Sequence, residues 1–320
     1  MNYNSNPYQK QPREFWKYIK LFFSQKSALS NLILINIIVF LTVNLLNLFL
    51  YLFSIDQAFI QTNGVSRLVY WLSVPADLTA LWSKPWTIIT YMFVQEGLFH
   101  LLFNILVLYV GGQIFVNYLS SKMLVTTYFL GGLSGAFLYI LSFNIFPAFA
   151  SNVGVAIALG SSASVLAIFI ASATRAPNLQ MQLFLFGRIQ LKYIALIIIV
   201  LDILNIRNGN AGGHIAHLGG ALYGFFFIRN LKKGRNIGSG FERLNIGNIF
   251  SGFINWFKKP KQKFTNVYAN PRPASDEAYL RKKAEEQVQI DEILEKIKKS
   301  GYESLSAQEK AKLFDASNKN

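Results

Sequence analysis

Long runs of hydrophobic residues recur along the chain, separated by shorter polar segments. The first run is the clearest, because residues 29–53 contain 25 positions without a charge and a membrane span needs about 20. This run is too long, and starts too late, to be a signal peptide. Six stretches predict membrane-spanning helices: residues 29–53, 97–116, 122–143, 153–174, 191–206 and 211–229. The pattern predicts an all-α polytopic membrane protein.

The connection between the first two predicted spans, residues 54–96, is long and rich in aromatic residues. Trp71, Trp82 and Trp86 with their apolar neighbours predict short helices that lie in the membrane interface and form an ordered cap. We therefore expect this first loop to be structured.

Residues 1–28 precede the first span, and the composition changes again after residue 229. Residues 230–274 mix basic and aromatic side chains, as expected for a linker that rests on an anionic membrane surface. In residues 275–320, apolar positions recur at helical spacing, and Ser306 with Glu309 has the form of a capping box that opens a last helix. The sequence predicts a small helical tail.

Composition and charge support a membrane protein. Of the 320 residues 52% are hydrophobic and 15% are charged, which is unusual for a soluble domain. The net charge of +15 lies beside the apolar runs and in the residues that follow position 229, so membrane orientation explains it more simply than nucleic-acid binding. Lys and Arg in the segment before the first span and in alternate loops predict that both termini are cytoplasmic. The chain has no cysteine, which excludes a disulfide framework and thiolate chemistry.

The chain's three histidines, His100, His214 and His217, lie in predicted spans. Ionisable groups inside a span are costly and usually face a cavity or a partner, so each is a candidate functional residue. At 1.5 Å per residue, Asn104, Ser162 and His217 lie roughly 10, 14 and 9 Å from the outer ends of the second, fourth and sixth spans. His100 is one turn before Asn104, on the same face. We expect these polar groups to converge in the outer half of the membrane.

Small residues on two predicted spans indicate how the histidine and the serine could meet. Gly220 and Gly224 belong to a small-residue series on the face of His217, and residues 160–164 offer a matching small surface. Close packing would bring an imidazole within hydrogen-bond reach of a hydroxyl, which is how a serine nucleophile is activated. Asp202 is the only acid inside a predicted span. It lies near the outward end of the fifth span, and we expect a Ser and His pair rather than a triad.

Three stretches carry a resemblance to a known family: FHLLFNILVLYVGG at 99–112, GSSAS at 160–164 and HLGGALYG at 217–224, with WTIITYMFVQEG just before the first. In this order, on predicted spans 2, 4 and 6, they resemble the motifs of the rhomboid family of intramembrane serine proteases. The resemblance covers residues 29–229 and implies a six-transmembrane-helix rhomboid bundle of the bacterial type, in an inner or plasma membrane.

The resemblance implies a role for each matched residue. Ser162 would be the nucleophile, His217 the general base, and His100 and Asn104 would line the oxyanion hole. His214 precedes the motif, and we expect it to be non-essential. The implied reaction is hydrolysis of peptide bonds in or near transmembrane segments of single-span membrane proteins, within the lipid bilayer and without a metal or cofactor. No nucleic-acid partner is implied, and the oligomeric state is left open.

Two positions depart from the family pattern. Ala163 follows the serine where the family often has glycine, and Thr87 follows Trp86 where the family often has arginine. The first could change how closely the fourth and sixth spans pack.

Three alternatives remain open. His100, His214 and His217 could be three ligands of a zinc hydrolase, although the sequence has no His-Glu-x-x-His helix. A non-catalytic relative that binds membrane clients would be expected to lack the serine or the histidine, and both are present. A transporter would be expected to carry charged groups at the midplane of repeated, interrupted spans.

Overall fold

The computed structural model describes the chain in five stretches and divides it into two compact units. The described residues are 12–55, 64–95, 97–183, 187–244 and 276–317. The units are Met1–Lys258 and Lys259–Asn320.

The first unit is helical, with two short two-stranded sheets. Its helices are α1 (Pro12–Ser24), α2 (Ala28–Leu52), α3 (Arg67–Leu72), α4 (Leu78–Ser83), α5 (Thr87–Thr90), α6 (Leu98–Tyr118), α7 (Ser121–Ile145), α8 (Ser162–Arg175), α9 (Leu191–Asn205), α10 (Ala211–Lys232) and α11 (Ser239–Arg243). Its strands are β1 (Val74–Pro75), β2 (Ile157–Ala158), β3 (Gln180–Leu183) and β4 (Gly187–Gln190). Two 3₁₀ helices, Tyr91–Phe93 and Pro147–Asn152, complete these elements.

Three of the described helices, α2, α6 and α7, are long and apolar enough to cross a membrane. Helix α8 is apolar but shorter. The protein is therefore a membrane protein, while the full count of six spans stays a prediction, as does the location of the termini.

Helix α8 lies at the centre of the bundle, where it contacts α6, α7, α9 and α10. Its residues from Ala163 to Ala173 are all buried, which explains why this stretch has no polar face. Around it, large side chains such as Tyr128 and Phe227 are fully buried. Helix α8 is consequently held by neighbours along residues 163–173, while Ser162 at its start is only partly buried.

The fourth predicted span differs from the structure at its start. The sequence predicted a helix from residue 153, but α8 begins at Ser162 and residues 157–158 form strand β2. This strand pairs antiparallel with β1 of the first loop, Val74 opposite Ala158. A short apolar run bounded by Gly154 and Gly160 suits a buried strand as well as a helix, so hydrophobicity alone misplaced this boundary. The depth of Ser162, which was counted along a helix from residue 153, loses its basis for the same reason.

A β-hairpin that the sequence analysis did not anticipate follows α8. Strands β3 and β4 pair antiparallel, with Met181 opposite Ile189. The Leu191 amide donates to the Leu179 carbonyl at 2.8 Å, so the hairpin base is tied to the start of α9.

Short helices α3, α4 and α5 occupy the described part of the first loop; their place in a membrane interface stays a prediction. The indole rings of Trp71 and Trp86 stack at 5.7 Å, and Trp86 Nε1 donates to the Trp71 carbonyl at 2.9 Å. Lys84 Nζ donates to the Tyr70 carbonyl at 2.8 Å and lies over the Tyr70 ring. Burial lowers the pKa of Lys84 to about 8.

The described part of the second unit consists of α12 (Asp276–Ser300), the 3₁₀ helix Tyr302–Ser304 and α13 (Ala307–Ser317). The predicted capping box is confirmed: the Ser306 amide donates to Glu309 Oε2 at 2.7 Å, and the Glu309 amide donates to Ser306 Oγ at 3.3 Å. The predicted linker lies outside the described residues from position 245 onward.

Candidate active site

Ser162 is the first residue of α8, directly after a strained turn. Gly160 has φ +125°, a conformation that favours glycine, and its amide donates to the Tyr91 carbonyl at 2.9 Å. A Cβ atom on Gly160 would lie 3.0 Å from His100 Cε1 and 3.5 Å from Ser162 Oγ. The missing side chain therefore lets the imidazole of His100 and the hydroxyl of Ser162 lie on either side of the same backbone position.

Asn104 is buried and is held by a polar network that the sequence analysis missed. Its Nδ2 donates to Gln95 Oε1 at 2.9 Å. Gln95 is fully buried, and its Nε2 donates to Ser161 Oγ at 3.1 Å and to Asn36 Oδ1 at 3.4 Å. Gln95 therefore connects the amide of Asn104 to the residue before Ser162. An uncharged amide in an otherwise apolar stretch was the available sequence signal.

Helices α8 and α10 make the close contact that their small residues predicted. A Cβ atom on Gly220 would lie 2.8 Å from the carbonyl carbon of Ala163, and one on Gly224 would lie 3.0 Å from that of Ala167. The pairing advances by four residues on both helices, so they run parallel. This confirms the predicted packing and places the start of α8, where Ser162 lies, beside the turn of α10 that carries His217.

The four residues predicted from the family motifs lie around this contact, but within the described residues no hydrogen bond joins any two of them. His100 and His217 are close enough to interact electrostatically. Within the described residues, Ser162 Oγ makes no hydrogen bond, and the ring of His217 makes its hydrogen bond through Nδ1 rather than to the serine. Hydrogen bonds of catalytic groups are often long before substrate binds.

Asp202 lies closer to the histidines than the sequence analysis expected of any carboxylate. Its Oδ1 lies 2.9 Å from His217 Nδ1 and 2.8 Å from His214 Nδ1. Helices α9 and α10 are joined by the short loop 206–210, so the end of α9 lies beside the start of α10. Asp202 is three residues before the end of α9, opposite the first turns of α10. That arrangement follows from the loop length, which the sequence analysis did not use.

The same three residues could hold a metal ion. Ligand atoms of Asp202, His214 and His217 lie within 4.8 Å of one another, and two imidazoles with a carboxylate suit a divalent transition metal. The zinc alternative named His100, His214 and His217 as the three ligands. In the structure, Asp202 rather than His100 lies beside the other two.

The structure accommodates both departures from the family pattern. The Ala163 methyl faces α7, where a Cβ on Gly135 would lie 2.6 Å from it, so the methyl group does not separate α8 from α10. Thr87 is fully buried, and its Oγ1 donates to the Lys84 carbonyl at 2.7 Å. Neither residue removes a polar group from the vicinity of Ser162.

Apolar helices long enough to cross a membrane, packed around the buried Asn104 and the partly buried Ser162 and His217, define an integral membrane protein with a polar site among its helices. Residues 83–233 match the family model of the Rhomboid domain. The chain therefore contains a rhomboid domain, the domain of a family of intramembrane serine proteases that also includes inactive members. Residues 275–319 match a second model, a family of unknown function called DUF6576, and this match lies within the second unit. A comparison with curated proteins gives no match to the chain.

Proposed function

We propose that the protein is an intramembrane serine endopeptidase that cleaves peptide bonds in or near the transmembrane segments of single-span membrane proteins. The observation that carries the proposal is the parallel contact of α8 and α10 through Ala163 and Gly220, because it holds Ser162 and His217 at the same level of the bundle. Family membership supports the reaction class.

In this proposal Ser162 Oγ attacks the substrate carbonyl carbon while His217 accepts its proton through Nε2. His217 then gives the proton to the leaving amine, and water hydrolyses the acyl-enzyme by the reverse sequence of proton transfers. Both groups are accessible, since the side chain of His217 is 25% exposed and Ser162 is only partly buried. In this proposal water and an unfolded stretch of substrate reach them from this exposed side.

His100 and Asn104 are proposed to stabilise the tetrahedral oxyanion. The Asn104 amide uses one N–H on Gln95 and retains a second, and His100 lies beside the turn that precedes Ser162. Removal of one such donor typically lowers kcat by about 10²- to 10³-fold.

The test is cleavage of a tagged single-span substrate by the purified, reconstituted protein, with and without a chelator. Ser162→Ala and His217→Ala should abolish cleavage, and the chelator should have no effect. Ser164→Ala is the matched control: this serine lies two residues further on α8, is buried, and has an Oγ without a hydrogen-bond partner, so its loss should leave activity intact.

Cleavage that survives Ser162→Ala, or that disappears with the chelator, would exclude the serine mechanism. If the wild type neither cleaves several substrates nor reacts with a fluorophosphonate probe, the client-binding alternative replaces the proposal.

A further inference from the structure

We infer that Asp202 is a positioning residue of the active site: it holds His217 in the tautomer and orientation of a general base, so that Ser162, His217 and Asp202 act as a triad. This inference rests on the proposed function. It extends that proposal, because the sequence motifs supply only the serine and the histidine.

The hydrogen-bond geometry specifies the tautomer. An ionised carboxylate only accepts hydrogen bonds, so His217 Nδ1, 2.9 Å from Asp202 Oδ1, must carry the ring proton in the neutral imidazole. Nε2 is then unprotonated, which is the state needed to accept the serine proton. A third group that orients the base in this way is the recurring feature of activated serine nucleophiles.

His214 supports the carboxylate rather than the serine. Its Nδ1 donates to the same oxygen at 2.8 Å, and its ring is nearly perpendicular to that of His217, with centroids 5.9 Å apart. Two donors on one oxygen fix the orientation of the Asp202 side chain. His214 therefore acts on Ser162 only through Asp202 and His217. In this inference it contributes to activity, in contrast to the expectation that it is non-essential.

The second carboxylate oxygen argues against a purely structural role. Asp202 is 6% exposed, and its Oδ2 is buried without a hydrogen-bond partner. Such an oxygen is costly to keep inside a bundle. The negative charge becomes useful when His217 acquires a proton during the reaction, because a buried carboxylate beside it stabilises the imidazolium.

A competing explanation is that Asp202 only ties α9 to α10. The buried residues of α9 are Leu191, Ala195 and Asp202, so this helix is held by few side chains. The experiment must therefore separate attachment of α9 from orientation of His217.

Asp202→Asn makes that separation. The amide keeps the size of the side chain and one acceptor oxygen, so it preserves attachment, but its NH₂ group favours the tautomer with the proton on Nε2. We expect kcat to fall by about 10²- to 10⁴-fold with KM within about twofold, as for loss of the triad carboxylate elsewhere. The rate of labelling of Ser162 by a fluorophosphonate should fall in parallel, and the thermal midpoint should change little.

Three further variants complete the test. Asp202→Glu retains a carboxylate and should recover part of the activity lost in Asp202→Asn. His214→Ala should lower kcat by about tenfold, because Asp202 keeps its bond to His217 but loses its second donor. Asn205→Ala is the matched control on the same end of α9, since its side chain donates to the Leu201 carbonyl and accepts from Asn208 Nδ2, and neither bond involves Asp202 or a histidine; it should retain wild-type activity.

Wild-type kcat in Asp202→Asn would overturn the inference. It would also be overturned if Asp202→Asn lost activity together with thermal stability and Asp202→Glu recovered no activity. If the wild type depends on Ser162 and His217 while Asp202→Asn is fully active, only the inference fails. If the wild type shows neither cleavage nor Ser162-dependent labelling, the proposed function fails with it.

Discussion

Gly220→Ala is expected to lower kcat strongly while the protein stays folded. The added Cβ would lie 2.8 Å from the carbonyl carbon of Ala163 and 3.1 Å from its Cα, both backbone atoms that cannot rotate away. Because carbon atoms pack at about 3.5–4.0 Å, α8 and α10 must separate by about 1 Å. Ser162 is adjacent to Ala163, so the shift acts directly on the distance between Ser162 and His217.

The magnitudes of the two effects differ. A displacement of about 1 Å can lower the rate of the chemical step by about 10²-fold. Overpacking costs about 1–3 kcal/mol of stability, and the better helix propensity of alanine offsets about 1 kcal/mol of this. We therefore expect kcat to fall by about two orders of magnitude while the protein stays folded.

The assay combines cleavage kinetics with thermal unfolding in detergent for three variants. Gly224→Ala makes a similar overlap with Ala167, one turn further from Ser162, so it should destabilise similarly but slow cleavage less. Gly154→Ala is the control, since a Cβ there meets nothing within 4 Å. Wild-type kcat in Gly220→Ala, or equal losses of kcat in Gly220→Ala and Gly224→Ala, would refute the reasoning.

Three further outcomes can be measured on the full chain. Gln95→Leu leaves the buried Asn104 amide without its acceptor and should cost about 1–3 kcal/mol per unsatisfied group, seen as a lower unfolding temperature together with a lower kcat. Because the folded-state pKa of Lys84 is about 8 and its usual value is 10.5, the unfolded chain binds more protons between these values; stability should rise from pH 8 to 10.5, and the rise should be absent in Lys84→Met. Hydrogen bonds from Lys296 and from the cap residue lower the pKa of Glu309 from 4.5 to about 2, so protection of the α13 amides in hydrogen exchange should be lost as the pH falls through this window, and Glu309→Gln should abolish the dependence.

The long helices and their small contact faces could be predicted from the sequence because hydrophobic length and residue size are local properties. The match of Gly220 to Ala163 is one example, and the capping box of Ser306 with Glu309 is another. Gly160 could be recognised only as part of a motif, since its positive φ and its proximity to His100 depend on the turn it occupies.

The polar partners of the site could not be predicted in the same way, because each lies on a different element. Gln95 meets Asn104 only after the first loop folds back onto α6, and Asp202 meets His217 only because α9 and α10 form a tight antiparallel pair. Strand β2 was mistaken for helix since its burial comes from the first loop rather than from neighbouring helices.

Because β1 pairs with β2, the first loop and the segment that precedes Ser162 are joined by backbone hydrogen bonds and should move together. The Ala76 amide donates to the Ala156 carbonyl at 3.0 Å, and the Gly160 amide donates to the Tyr91 carbonyl at 2.9 Å, so the segment is fastened at both ends. For protein engineering, residues 64–95 and 154–161 should therefore be exchanged together. A chimaera that exchanges either segment alone should lose these hydrogen bonds, whereas one that exchanges both should keep them and carry the turn before Ser162 with it.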